Sequence, residues 1–193
     1  LDMVQLPLAS STVENSTSPN IMLGKSPERD REIESIQNLI RICAEVGIPA
    51  VKYNMCIVGD PRTEREVGRG GSSVSAFRWS KADQNAAPGI AGEVPADLFW
   101  ERIDYFLERA IPAAESEKVR MALHPHDPYI PDGWMGVDTV LGTVEGMKKF
   151  VQMHESPYHG LNFCQGTVTE MLDDPNAELP DVIRWFGSRD KIF

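Results

Sequence analysis

The sequence is poor in cysteine, in positive charge and in long apolar runs, and each shortage excludes a class of protein. Its three cysteines are odd in number and widely spaced, which argues against a disulfide framework and favours a reducing cytosol. No run approaches the roughly 18 apolar residues of a membrane span. The net charge of -10 disfavours nonspecific binding to nucleic acid, since phosphate contacts need clustered basic side chains. We therefore expect a cytoplasmic protein with no membrane or nucleic-acid partner.

Five short strand-like segments alternate with helical ones along the chain. The strand-like segments cover residues 2–6, 49–56, 119–124, 160–164 and a stretch that begins at Lys191. Apolar residues at helical spacing predict helices over residues 26–47 and 96–114. A third helix is predicted over residues 143–153, with Thr143 as its N-cap, and a short fourth one over residues 179–186. Alternation of this kind is typical of an α/β fold whose parallel strands are joined by right-handed crossovers.

Two arrangements of such a sheet compete, an open doubly wound sheet and a closed barrel. No glycine-rich phosphate motif follows any strand, because the glycine run at 68–72 has no strand in front of it. Polar residues at the ends of successive strands favour the barrel. The sequence therefore predicts a parallel (β/α)8 TIM barrel in which residues 1–193 form a single, incomplete domain with about five of the eight βα units. The chain lacks a starting methionine and ends in a strand-like segment, so we expect an internal piece of a longer protein.

The longest stretch without regular periodicity covers residues 57–95. A loop of this length in a compact domain is either functional or disordered, and its arginines and aromatic residues argue against disorder. Arg62 and Arg69 lie within it, and a guanidinium group holds a carboxylate through two parallel hydrogen bonds. We predict an active-site loop that closes over an anionic substrate. The alternative is that these arginines only solvate the loop.

His124 and Cys164 end two successive apolar strands, about one strand–helix unit apart. In a parallel barrel that spacing directs both side chains to the same catalytic rim. An imidazole and a thiolate on one rim predict half of a metal site. A nucleophilic Cys–His pair is the rival interpretation. Cys43 lies in a helical apolar stripe, and we expect it, like Cys56, to be a packing residue.

Further candidates flank these two residues. His126 and Asp127 follow His124 in a proline-rich turn, where they serve as acid–base groups, as support for the metal ligands, or only as turn formers. Tyr53 and Asn54 end a strand on the presumed rim, and strand alternation directs one of the two inward. We take His126 and Asp127 as candidate catalytic residues, and Tyr53, Asn54, Arg62 and Arg69 as candidate substrate contacts. The other histidines, His154 and His159, are expected on the solvated surface.

Five motifs, in this order along the chain, together resemble the D-mannonate dehydratase family of xylose-isomerase-like TIM barrels. They are Tyr53-Asn54-Met55, Arg62-Thr63-Glu64, Gly68-Arg69-Gly70-Gly71, Ala122-Leu123-His124-Pro125-His126-Asp127-Pro128 and Asn162-Phe163-Cys164-Gln165-Gly166-Thr167. The resemblance implies dehydration of D-mannonate to 2-keto-3-deoxy-D-gluconate, in hexuronate catabolism. It also implies Mn²⁺ or Fe²⁺, with Zn²⁺ not excluded, held by two His, one Cys and one Asp. His124 and Cys164 match the first His and the Cys, and the others would fall beyond Phe193.

The chain departs from the family at one position. The family usually has two aspartates after His-Pro, whereas His126 stands here in place of the first. A related sugar acid is therefore an alternative substrate. Two other functions stay open: a metal-dependent sugar isomerase or epimerase of the same superfamily, and a truncated barrel segment without catalysis. For the enzyme we expect a small-molecule sugar-acid partner and a homo-oligomer.

Overall fold

A computed structural model describes residues 1–193. Its strands, in chain order, are β1 (Val4–Gln5), β2 (Ala50–Tyr53), β3 (Glu66–Val67), β4 (Ser73–Val74), β5 (Arg120–Leu123) and β6 (His159–Leu161). The main sheet has four strands in the order β1-β2-β5-β6, and every pair in it is parallel. The predicted α/β class with parallel strands is confirmed. β3 and β4 form a separate antiparallel hairpin within the long loop.

Six α-helices connect and follow these strands. They are α1 (Pro19–Leu23), α2 (Glu28–Glu45), α3 (Ala96–Glu117), α4 (Val144–Gln152), α5 (Gln165–Thr169) and α6 (Pro175–Gly187). The four longer helices correspond to the four predicted from the sequence; the apolar stripe of α2 is buried and consists of Ile33, Ile36, Ile40 and Cys43. The Thr143 side chain caps α4 by accepting a hydrogen bond from the Gly146 amide. None of the helices combines the length and the apolar character needed to cross a membrane.

The sheet is open, and the predicted count of about five βα units is not confirmed. Four strands are each followed by helix. At the position of the expected fifth strand, Leu161 and Ile192 form a single parallel bridge and no longer ladder. The structure therefore contains a parallel α/β sheet without barrel closure.

The register of the sheet decides which side chains face the helices. Tyr53, Leu123 and Leu161 are in register, and the Tyr53 ring packs 5.6 Å from the Phe106 ring of α3. Ladder hydrogen bonds continue one residue further, from the His124 amide to the Tyr53 carbonyl and from the Asn162 amide to the Leu123 carbonyl. By alternation, the residues that follow these three point to the opposite face.

That opposite face is concave. The Asn162 side-chain nitrogen lies 3.8 Å from the Met3 sulfur, although β6 and β1 are at the two ends of the sheet. Asn54, His124 and Asn162 therefore lie on one concave face at the carboxyl ends of the strands. Phe163 turns back toward the helices and packs 5.8 Å from the Phe186 ring, and we infer from continued alternation of the extended backbone that Cys164 faces the concave side.

Candidate metal and substrate site

His124 is held with one ring nitrogen free. It is half-buried, and its Nδ1 lies 2.8 Å from the Pro125 carbonyl oxygen. A carbonyl oxygen only accepts hydrogen bonds, so Nδ1 carries the proton and Nε2 keeps its lone pair. Metal-binding histidines are commonly oriented in this way, with the second ring nitrogen donating to a carbonyl group. The imidazole therefore fits a ligand role.

Cys164 supplies a second soft donor on the same face. It is a free, half-buried cysteine in extended conformation, at the residue that precedes α5. No hydrogen bond joins it to His124, as a Cys–His nucleophile would require. No group of three or more His, Cys, Asp or Glu side chains in the chain is placed to hold a metal ion. His124 and Cys164 alone are two donors, so a metal ion bound by them would need further ligands.

His126 is enclosed beside Cys56 and does not line the pocket described below. It is buried, and its Nδ1 lies 3.7 Å from the Cys56 sulfur. Burial lowers the pKa of His126 to about 4, although the neighbouring Asp127 charge acts in the other direction. The imidazole is neutral at pH 7, and its Nε2 has no partner. These features argue against His126 as a proton donor to substrate and favour a packing role beside Cys56.

The side chains of Tyr53 and Asn54, at the end of β2, point to opposite faces of the sheet, as strand alternation requires. Tyr53 is fully buried on the helix side, and burial raises the pKa of its hydroxyl, which has no partner. This placement argues against substrate contact by Tyr53. Asn54 lies on the concave face beside His124, and its buried Oδ1 has no hydrogen-bond partner. Asn54 is therefore the candidate substrate contact of the pair.

Arg62 and Asp127 connect the long loop to the turn after β5. The Arg62 guanidinium donates to the Asp127 carboxylate at 2.9 Å, and the Thr167 hydroxyl of α5 lies 3.5 Å from the other carboxylate oxygen. Both charged residues line a pocket of about 410 Å³, the size of a small-molecule site. Arg69, by contrast, lies on a short turn of the hairpin and does not line this pocket.

Residues 57–95 are held by contacts between parts of the loop. Arg78 forms a two-point ion pair with Glu66, at 2.8 and 2.6 Å, and Arg65 donates to the backbone and hydroxyl of Ser73. Trp134, beyond the loop, packs against Phe77 at 6.0 Å. This supports the expectation that the loop is ordered.

The site also contains two carboxylates that sequence reasoning missed. Burial raises the pKa of Asp60, with Asp127 adding to the effect and Arg62 and His124 opposing it. Burial and Asp127 likewise raise the pKa of Glu170, which follows α5. Neither residue ends a strand, so no local pattern marked it.

Comparison with known proteins assigns this chain to a family. A family model described as D-mannonate dehydratase (UxuA) matches residues 89–193, more than half of the chain. The mannonate dehydratase of Shouchella clausii is 31% identical over 195 residues, covering 84% of this chain and 53% of that protein. That of Thermotoga maritima is 27% identical, covering 86% and 54%. The chain spans about half the length of the curated relatives it matches.

Solved structures agree. The crystal structure of mannonate dehydratase from Streptococcus suis serotype 2 is 26% identical, with a TM-score of 0.79 over 100% of this chain and 53% of that chain. A 3-keto-D-glucoside 4-epimerase from E. coli has a TM-score of 0.54 at 10% identity, covering 100% of this chain and 56% of its own. The second likeness concerns the fold alone.

Proposed function

This chain belongs to the D-mannonate dehydratase (UxuA) family, and from that premise we propose that the natural protein carrying it converts D-mannonate to 2-keto-3-deoxy-D-gluconate and water. The family resemblance predicted from the sequence motifs is confirmed. The observation that carries the proposal is the concave face itself. His124 keeps Nε2 free there, and three residues further along Asp127 pairs with Arg62 in the lining of a pocket of small-molecule size.

We propose that His124 and Cys164 hold a divalent ion, Mn²⁺ or Fe²⁺, with Zn²⁺ as a third candidate. The mixed nitrogen and sulfur donors suit these ions better than Mg²⁺ or Ca²⁺, which prefer oxygen ligands. Further ligands would come from parts of the protein outside this chain. When bound, such an ion supplies Lewis-acid stabilisation of the negative charge that develops beside the substrate carboxylate.

The residues of this chain bind and orient the sugar acid. Arg62 would pair with the substrate carboxylate in exchange for Asp127, because the existing ion pair is partly exposed and lies in the pocket. Asp127, once released, is the carboxylate of this chain best placed to take a proton from substrate. The free Asn54 Oδ1 would accept a hydrogen bond from a substrate hydroxyl.

The surface of α2 supports a closed barrel in the natural protein. Gln37 donates to the Arg109 carbonyl and marks the side of α2 that faces α3. On the other side of the helix an apolar stripe is exposed and consists of Leu39, Ile42 and Val46. A neighbouring barrel helix would cover it. We propose that residues 1–193 form part of one (β/α)8 domain, with residues 57–95 as its active-site loop, in a cytoplasmic homo-oligomer.

The test is an assay of the natural protein with Mn²⁺ and D-mannonate, following formation of the 2-keto-3-deoxy acid. We expect turnover that a chelator abolishes and that added Mn²⁺ restores. The S. suis enzyme serves as a positive control. Absence of turnover while that enzyme works would refute the proposal, and turnover of neutral sugars but not of sugar acids would indicate an isomerase or epimerase instead.

A further inference from the structure

The pocket beside the turn after β5 has a charged lining that points to a particular ligand chemistry. Its volume is about 410 Å³. Arg62 and Arg78 line it from the long loop, Asp127 lines it from the turn, and Glu170 lines it from the end of α5. Four charged side chains from three parts of the chain therefore meet in this pocket. How they pair with one another decides what the pocket can bind.

Glu170 is the only one of the four charged residues without a partner. Arg62 pairs with Asp127 at 2.9 Å, and Arg78 pairs with Glu66 at 2.6 Å. The Glu170 carboxylate makes no hydrogen bond and no ion pair with the rest of the chain. Partial desolvation, followed by the repulsion from Asp127, raises the pKa of this carboxyl group. The side chain is exposed in this chain and lines the pocket, so its carboxylate oxygens are free to accept hydrogen bonds from a ligand.

The lining matches an open-chain polyhydroxy acid. A carboxylate in the wall attracts hydrogen-bond donors, and the hydroxyl groups of a sugar acid are such donors. Arg62 offers a guanidinium group for the acid end, and the partly apolar surfaces of Phe77 and Tyr129 offer walls for its carbon chain. A ligand of this class offers a carboxylate to Arg62 and hydroxyl donors to the wall carboxylate in the same pocket.

We propose that Glu170 is a specificity-determining residue, which accepts a hydrogen bond from a hydroxyl group of the sugar acid at a carbon beyond C3. The assignment rests on the proposed function, because it takes D-mannonate as the substrate. It adds a contact that the strand-end motifs do not contain, since Glu170 follows α5, six positions after Cys164.

The experiment compares D-mannonate with the analogues that each lack one hydroxyl group beyond C3. Steady-state kinetics are measured for the natural protein and for its Glu170→Ala and Glu170→Gln variants. We expect Glu170→Ala to lower kcat/KM for D-mannonate by about 10- to 100-fold, mainly through KM, as for a lost hydrogen bond to a charged group. The same variant should leave kcat/KM unchanged for the one analogue that lacks the recognised hydroxyl. For Glu170→Gln, which keeps an acceptor oxygen, kcat/KM for D-mannonate should lie between the values for the natural protein and for Glu170→Ala.

The matched control is Glu34→Ala, on an exposed glutamate of α2, which should leave all these constants unchanged. Thermal melting of each variant identifies misfolding. If Glu170→Ala misfolds, the comparison is made with Glu170→Gln, the nearest isostere. An equal loss for every substrate, or no loss for any, would overturn the assignment.

Calorimetric binding of the same acids separates this assignment from the proposed reaction. If the natural protein binds D-mannonate without turnover, the reaction is refuted. A selective loss of binding in Glu170→Ala then still supports the Glu170 contact, and an unselective one overturns it. If the natural protein binds none of the acids, both are overturned.

Discussion

The Nδ1 atom of His124 lies 2.8 Å from the Pro125 carbonyl oxygen, and this contact leaves Nε2 as the free ring nitrogen. The adjoining proline stiffens the turn, so the imidazole is oriented before any ligand arrives. His124 thus supplies the donor atom, and Pro125 supplies the support for its direction. A rigid donor of this kind loses little conformational freedom when it binds an ion.

Metal content tests this role directly. His124→Ala and Cys164→Ala should each remove most of the bound Mn²⁺ or Fe²⁺ from the natural protein, because each deletes one donor atom. Elemental analysis after gel filtration measures the loss. Cys43→Ala is the matched control, since Cys43 is buried in the stripe of α2 and should keep its metal. Stoichiometric metal in Cys164→Ala would contradict a ligand role for that thiol.

Substrate affinity distinguishes the two arginines that the sequence suggested. Arg62→Ala should raise KM for D-mannonate by about 10- to 100-fold, because it removes a charged hydrogen bond in the pocket. The free energy of unfolding should fall by less than about 1 kcal/mol, since the ion pair with Asp127 is partly exposed. Arg69→Ala should change neither quantity, because Arg69 is exposed on the hairpin turn. A larger effect of Arg69→Ala on KM would reverse this assignment of roles.

The elements that could be predicted from the sequence are those with a local pattern. α3 was expected from its repeated apolar spacing, and α4 from its Thr143 cap, and both form. The strand end before His124 was recognised because the apolar run stops there, whereas β6 ends at Leu161 and Cys164 lies three residues further on, at the start of α5. The short helices α1 and α5, with five residues each, are too short to present a stripe.

The features that the sequence did not predict depend on tertiary contacts. The sequence left open whether Tyr53 or Asn54 faces the site, and only the register with β5 answers that question. His159 was expected on the surface because it follows a polar loop, yet it begins β6 and packs 4.6 Å from the Phe150 ring. Glu170 joins the pocket through the packing of α5 against the turn after β5, which no local pattern encodes.

Acid stability should depend on His159. Burial lowers the pKa of His159 to about 4, against an ordinary value of 6.5, with Lys191 and His154 adding to the effect. Between these values the unfolded chain binds more protons than the folded one, so stability falls as the pH drops from 6.5 to 4. The loss attributable to this one residue is roughly 3 kcal/mol at most.

Chemical denaturation of the natural protein at several pH values measures this effect. His159→Phe removes the titrating group and keeps a ring against Phe150, so its stability should fall less steeply with acid than that of the natural protein. The Phe150 carbonyl keeps a hydrogen bond from the Met153 amide in that variant. His154→Gln, on the exposed histidine that contacts Asp104, is the control. Identical slopes for His159→Phe and the natural protein would show that His159 is not buried neutral.

Gly146→Ala should destabilise the protein, although alanine is normally the better residue in a helix. A Cβ at this position of α4 would lie 1.8 Å from the Val140 carbonyl oxygen, and backbone atoms cannot move aside as a flexible side chain would. We expect a loss of about 1–3 kcal/mol in the free energy of unfolding, as for other overpacked sites. The matched control is Gly187→Ala in α6, whose added Cβ would meet only Ile192, at 4.0 Å. That variant should be neutral or gain up to about 1 kcal/mol from the higher helix propensity of alanine. Equal effects of the two substitutions in urea unfolding would mean that the loop of Val140 does not pack against α4 as described.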